Sequence, residues 1–173
     1  AGTIITDDFH PEEARAEIVT GIKNLYAFEL FEQDMVGVKG YDTAILDVLT
    51  RHNVRIVSKV SNANTITHYL DASLKTMRRV EKDLAQIYPA AEITTKTLSM
   101  ASVIGRDLNG LSVLQRGLVA IAEAGQTAIG ASQGPRNVDV QFIVERESLQ
   151  PVIKALHGAF IEEEVAAPLS RAA

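Results

Sequence analysis

Apolar residues recur along this chain with two periods, and the order in which those periods alternate predicts a duplicated module. From Tyr26 to Glu32, Phe28 and Leu30 alternate with Glu29, which is a strand pattern, and Phe31 adds apolar surface on the second face. The loop from Gln33 to Gly40 carries Gly37 and Gly40. It leads into a helix with Asp42 or Thr43 as its cap, Ile45, Leu46 and Leu49 on its buried side, and Asn53 at its end. Val54 to Val60 returns to period two, with Val54, Ile56 and Val60 on one face and Arg55, Val57 and Lys59 on the other. Asn62-Ala63-Asn64 supplies a turn, and Thr65 to Leu70 completes a hairpin. Ser73 then starts a helix whose stripe is Leu74, Met77, Val80, Leu84 and Ile87; Pro89 ends it, and Glu92 to Thr97 is a final strand.

The same order recurs downstream. A shift of 72 positions, the separation of Leu49 and Ile121, also pairs Leu46 with Leu118, Val57 with Ile129, Ile66 with Val138 and Leu70 with Phe142. Without a gap it continues through Met77 and Leu149, Val80 and Val152, Leu84 and Leu156, and Tyr88 and Phe160. The second copy has a strand from Leu98 to Ile104 and a helix from Leu111 to Ala124 closed by Gly125. Its hairpin turns at Gly134-Pro135-Arg136-Asn137 and carries Val138, Val140, Phe142 and Val144 in alternation. A last helix comes next, with Ser148 as cap, Pro151 in the first turn and Leu149, Val152, Ile153, Leu156 and Phe160 as its stripe. Strand, helix, strand, strand, helix, strand is the ferredoxin-like plan. The predicted class is therefore α+β, two modules with antiparallel sheets and helices on one face. The other face, with Val57, Thr65 and Tyr69, is left to meet water, another sheet or a partner chain, so association is expected.

Composition narrows the functional classes. A chain of 173 residues accommodates one ordinary domain or two small ones, and the duplication selects the second. Cysteine is absent, which excludes disulfides and thiolate zinc sites, and the net charge of −5 offers no broad basic surface for nucleic acid. No apolar run reaches membrane-spanning length and no signal-peptide pattern opens the chain, so a cytoplasmic protein without membrane contact is expected.

No catalytic signature emerges. Gly130-Ala131-Ser132-Gln133-Gly134 has the composition of a phosphate loop, but it lacks the Lys-Ser/Thr ending and precedes a strand. His10, His52, His68 and His157 are scattered, so no metal site is expected, and His68 reads as a hydrogen-bonded core histidine. Glu162-Glu163-Glu164 reads as a solvated helix end. The candidate binding segment is Met35 to Asp42, where a strand passes through two glycines into a helix N-terminus. Free amides and the helix dipole there suit a small anion such as an amino-acid carboxylate; the alternative is a tight turn. Asp42 opposes such an anion and Lys39 compensates.

With these residues in place, the chain resembles a known family. The paired modules, Leu156-His157 and Phe160 in the last helix, the opening Gly2-Thr3-Ile4-Ile5 and the segment Val19-Thr20-Gly21-Ile22 together resemble the C-terminal regulatory region of aspartokinase, a tandem of ACT modules. Phe28 through Tyr41, with Val57 through Thr65, is similar to the paralogue associated with ectoine synthesis. The resemblance implies interwoven modules. Residues 1–25 would be a connector from a kinase domain plus a strand of the second module, 26–97 the first module, 98–164 the second, and 165–173 a flexible tail.

It also implies a parent enzyme that moves the γ-phosphoryl group of ATP to the side-chain carboxylate of L-aspartate. ATP and Mg would be held by a kinase domain absent from this chain, with no cofactor here. The implied partners are a second copy, forming a homodimer through the modules, the kinase domain, and an amino-acid effector. Carried over, the effector residues are Met35, Gly40, Tyr41 and Asp42 with Val57, Ser58, Ser61 and Asn62. Val57 stands where lysine-responsive members place a carboxylate, and Lys39-Gly40 and Asn109-Gly110 stand where many modules have Pro-Gly. A dimerisation module without effector, or a free-standing ACT regulator, are the alternatives.

Overall fold

The structure is a computed structural model and describes residues 13–162. The proposed strand at Gly2 to Ile5, the flexible tail at 165–173, His10 and most of the acidic run Glu162 to Glu164 lie outside the described residues.

The chain divides into two compact units, one continuous, Lys23–Ser99, and one split, in which residues up to Ile22 join those from Met100 onward. The continuous unit holds the second part of β1 (Arg15–Phe31), α1 (Tyr41–Arg51), β2 (Arg55–Ser61), β3 (Thr65–Asp71), α2 (Leu74–Ile87) and the first part of β4 (Glu92–Arg106). Its strand order is β2-β3-β1-β4, with β3 antiparallel to both β1 and β2. Phe28, Leu30, Ile66 and Leu70 from one sheet face pack with Ile45, Val48 and Leu49 of α1 and Met77, Val80 and Leu84 of α2. This is the ferredoxin-like plan expected from the sequence.

The split unit holds the rest of β4, then α3 (Val113–Glu123), β5 (Ala128–Gln133), β6 (Asp139–Glu145) and α4 (Leu149–His157), and takes its remaining strand from the start of β1. Its strand order, β1-β4-β6-β5, is the same plan with the last strand supplied by the beginning of the chain. The modules are thus interwoven. Its core is built on Val103, Val113, Ile121, Val140, Phe142 and Leu156, and a π-helical turn, Gly158–Glu162, adds Phe160. No helix among the described residues is long and apolar enough to cross a membrane.

The 72-residue register holds in detail. The ends of α1 and α3 correspond, and Asn53 (φ 51°) and Gly125 (φ 68°) both close their helices in the left-handed conformation. Matching amides come after them: Val54 N donates to Leu49 O at 2.9 Å, and Gln126 N to Ile121 O at 3.0 Å. Both expected hairpin turns form, with Asn62 N donating to Thr65 O and Asn137 N to Gly134 O, each at 3.0 Å.

Several expectations are corrected. Glu92 to Thr97 and Leu98 to Ile104 form a single strand, because no turn residue separates Thr97 from Leu98. Likewise β1 begins at Arg15 and runs through to Phe31, with Asn24 in a left-handed conformation (φ 59°) near the change of unit. Neither Asp42 nor Thr43 caps α1; its N-cap is Gly40, whose φ of 101° suits a residue without a Cβ. Ser73 does cap α2, accepting from Thr76 N at 3.1 Å, but Ser148 makes no cap bond because a 3-10 turn, Arg146–Ser148, precedes α4. Leu46, Leu74 and Ile87, expected in buried stripes, are exposed, since each lies at the margin of its helix's apolar arc.

Candidate functional site

Where β1 ends, Glu32 N donates to Asn64 O at 3.0 Å and so ties the loop to the β2-β3 turn. A 3-10 turn, Gln33–Met35, buries Met35 beneath the loop, and Gly37 (φ 77°) and Gly40 (φ 101°) bend the chain into α1. Among the described residues, no side chain caps the first amides of α1. Its first residue, Tyr41, stacks on Tyr88 with ring centroids 4.7 Å apart, and Tyr88 Oη donates to Tyr41 O at 3.2 Å, which anchors the helix start against the end of α2.

A cavity of about 250 Å³ opens between this loop and the hairpin. Of the effector positions that the resemblance implies, Met35, Gly40, Tyr41, Asp42, Ser61 and Asn62 line this cavity. Val57 and Ser58 do not. β2 carries a bulge: Ile56 pairs with Leu70 and the next registered pair is Ser58 with Tyr69, so Val57 is the extra residue. The bulge reverses the faces of everything after it. Lys59 comes opposite His68 and Ser61 opposite Ile66, on the face toward the helices, while Val60 joins Thr67 on the opposite face. Strict alternation puts Lys59 outward with Arg55 and Val60 with Ile56; the bulge corrects both placements.

Lys59 is the cavity side chain that sequence reasoning missed. It lines the cavity, and its Nζ forms an ion pair with Asp42 Oδ2. Behind Asp42 sits His68, fully buried on β3 as expected, but without the expected hydrogen bond. Among the described residues neither ring nitrogen has a partner, and Nε2 is 3.9 Å from Asp42 Oδ1, itself buried and unpartnered. Burial, reinforced by the Lys59 charge and opposed by Asp42, lowers the His68 pKa from 6.5 to about 4, so the ring is neutral at neutral pH.

The turn at the far end is preformed. Asn62 Oδ1 accepts from Asn64 N at 3.1 Å and from Thr65 N at 2.9 Å. Uncapped helix amides, an ammonium, a carboxylate and the polar groups of Ser61 and Asn62 around one small cavity can bind a zwitterion. Among the described residues there is no group of three or more His, Cys, Asp or Glu side chains that could hold a metal ion.

This fold defines a class: a tandem of ACT-type modules. No family model matches the chain. Among curated proteins it is 39% identical over 163 residues to aspartate kinase Ask_Ect of Stutzerimonas stutzeri, a match covering 94% of this chain and 34% of that protein. It is 23% identical over 175 residues to chloroplastic aspartokinase 3 of Arabidopsis thaliana, covering 98% of this chain and 31% of that protein. The chain therefore spans about a third of the length of the curated relatives it matches.

The regulatory subunit of aspartate kinase from Thermus flavus superposes with a TM-score of 0.68 at 14% identity, over 84% of this chain and 99% of that one. Aspartate kinase from Clostridium acetobutylicum gives a TM-score of 0.75 at 15% identity, over 88% of this chain and 36% of that one. This chain is a regulatory region of the aspartate kinase type.

Proposed function

We propose that this chain is the regulatory and dimerisation region of a cytoplasmic aspartate kinase of the ectoine-associated kind, and that it senses an amino acid at the cavity between the Met35 to Asp42 loop and the β2-β3 hairpin. The parent enzyme would transfer the γ-phosphoryl group of ATP to L-aspartate, giving 4-phospho-L-aspartate, with ATP and Mg in its kinase domain. The observation that carries the effector reading is that Met35, Gly40, Tyr41, Asp42, Ser61 and Asn62 converge on one cavity at an uncapped helix N-terminus. An effector bound there shifts the kinase only as far as it prefers one arrangement, typically by about 1–3 kcal/mol.

Calorimetric titration of the chain with threonine, lysine and methionine, alongside melting curves, tests this. Heat and a raised melting temperature with one of them supports sensing. A second reading, a structural dimerisation module without effector, is favoured by the internal ion pair of Asp42 with Lys59, which already neutralises charge in the cavity. Silence toward all three amino acids, with a dimer in sedimentation, would select it.

A further inference from the structure

We propose that Lys59 is a tethered occupant of the cation position in this cavity, and that it sets the charge of the amino acid the site accepts, turning away cationic side chains in favour of uncharged ones. The inference deepens the effector reading and rests on the cavity being a binding site.

Three features carry it. The bulge at Val57 turns Lys59 inward, where its ammonium pairs with Asp42 Oδ2 on the cavity wall. The other oxygen of Asp42, Oδ1, is buried with His68 Nε2 3.9 Å away, so the oxygen left to meet a ligand's ammonium is Oδ2, which Lys59 already engages. Finally, the fold does not demand the pair: 72 positions on, the split unit has Leu114 in place of Asp42, Ala131 in place of Lys59 and Val140 in place of His68.

With Lys59 in place, Asp42 and Lys59 cancel. The net field at the cavity is then that of the uncapped α1 amides, which favours a carboxylate and disfavours an added cation. A tethered ammonium also competes at an effective concentration on the order of millimolar, which a free ligand well below that level does not overcome. Without Lys59, Asp42 alone dominates and the preference inverts.

The test compares L-lysine with L-norleucine, which share the backbone and a four-carbon side chain and differ in the terminal ammonium that only lysine carries. Affinities of both are measured calorimetrically for the wild-type chain and for Lys59→Met, with melting curves to verify folding. Lys59 lies on an edge strand and is partly exposed, so the variant is expected to fold. The ratio of lysine to norleucine affinity should rise by up to about fivefold in Lys59→Met, the upper end of what one exposed charge pair contributes. Lys59→Arg should keep the wild-type ratio, and Asp42→Asn added to Lys59→Met should abolish the gain.

An unchanged ratio, or a wild-type chain that prefers lysine, overturns the inference and leaves amino-acid sensing intact. A wild-type chain silent to every amino acid, beside a Lys59→Met variant that binds lysine, upholds the inference and overturns native sensing. Silence of both proteins toward every ligand overturns both.

Discussion

The continuous unit and the split unit reach the same fold with opposite chemistry at equivalent positions. α1 starts at Tyr41 and α3 at Val113, and the strand bulges fall at Val57 and Ile129, so the comparison is residue for residue. In the continuous unit Asp42 and Lys59 line the cavity with His68 buried behind Asp42; in the split unit the same places hold Leu114, Ala131 and Val140. Val140 is as fully buried as His68, but an imidazole with two unpartnered nitrogens is an expensive side chain to bury. The polar trio is therefore not something the module needs in order to close. A feature that the fold tolerates at a stability penalty in one copy and dispenses with in the other supports the binding role proposed for the cavity.

The cores differ in the same paired manner. Ile45 on α1 and Leu70 on β3 correspond to Gly117 on α3 and Phe142 on β6, all buried. A Cβ on Gly117 would strike the Phe142 ring, so the glycine is required by close approach even though glycine weakens a helix interior. The largest expected effect breaks this pairing. Gly117→Ile should destabilise by about 3 kcal/mol or more through overpacking, and adding Phe142→Leu, which recreates the other unit's pair, should recover most of it. Urea unfolding of the two single variants and the double variant measures the coupling; additivity would show that the two cores are not alternative solutions of one packing problem.

Next in size is the pH response of His68. Its folded pKa, about 4, lies below the 6.5 of the free side chain, so between those values the unfolded chain binds more protons. The His68 contribution is therefore intact above pH 6.5 and is lost as pH falls toward 4, by up to ~3 kcal/mol. His68→Val, which copies Val140, should remove this part of the slope. Melting curves of both proteins from pH 7.5 to 4.5 should diverge on the acid side, and parallel curves would deny the buried imidazole this role.

Helix starts sharpen the comparison further. Ser73 caps α2 and Ser148 does not cap α4, so Ser73→Ala should lose about 1 kcal/mol while Ser148→Ala stays within about 0.5 kcal/mol in denaturant titrations. The smallest effect concerns the cavity ion pair. Both partners are partly exposed, so Lys59→Ala should change stability by less than about 1 kcal/mol, and the change should shrink in high salt. A larger, salt-insensitive loss would make the pair a structural element.

Most of the architecture was legible because apolar periodicity and turn residues are local signals that the tertiary structure reinforces. The repeat register, the helix ends at Asn53 and Gly125, and both hairpin turns could be read directly. The continuity of β4 through Thr97 and Leu98 could not, since a strand that passes from one core to the next carries no breaker at the crossing. The site was legible as a loop, through Gly37 and Gly40, but not as a set of charges. No glycine or proline in β2 announces the bulge at Val57, and without it Lys59 reads as an outward residue. The one hint was in the other copy, where Gly130 comes directly after the equivalent bulge at Ile129.

The shared strand β1 also bears on synthesis. Residues 15–22 emerge from the ribosome long before Met100 and the residues beyond it, yet they complete the unit that this later stretch builds. The continuous unit can close while translation proceeds, whereas the split unit must hold a strand in waiting until the residues from Met100 onward have been made. A cut between Ile22 and Lys23 would accordingly separate no finished domain from another; it would orphan a strand.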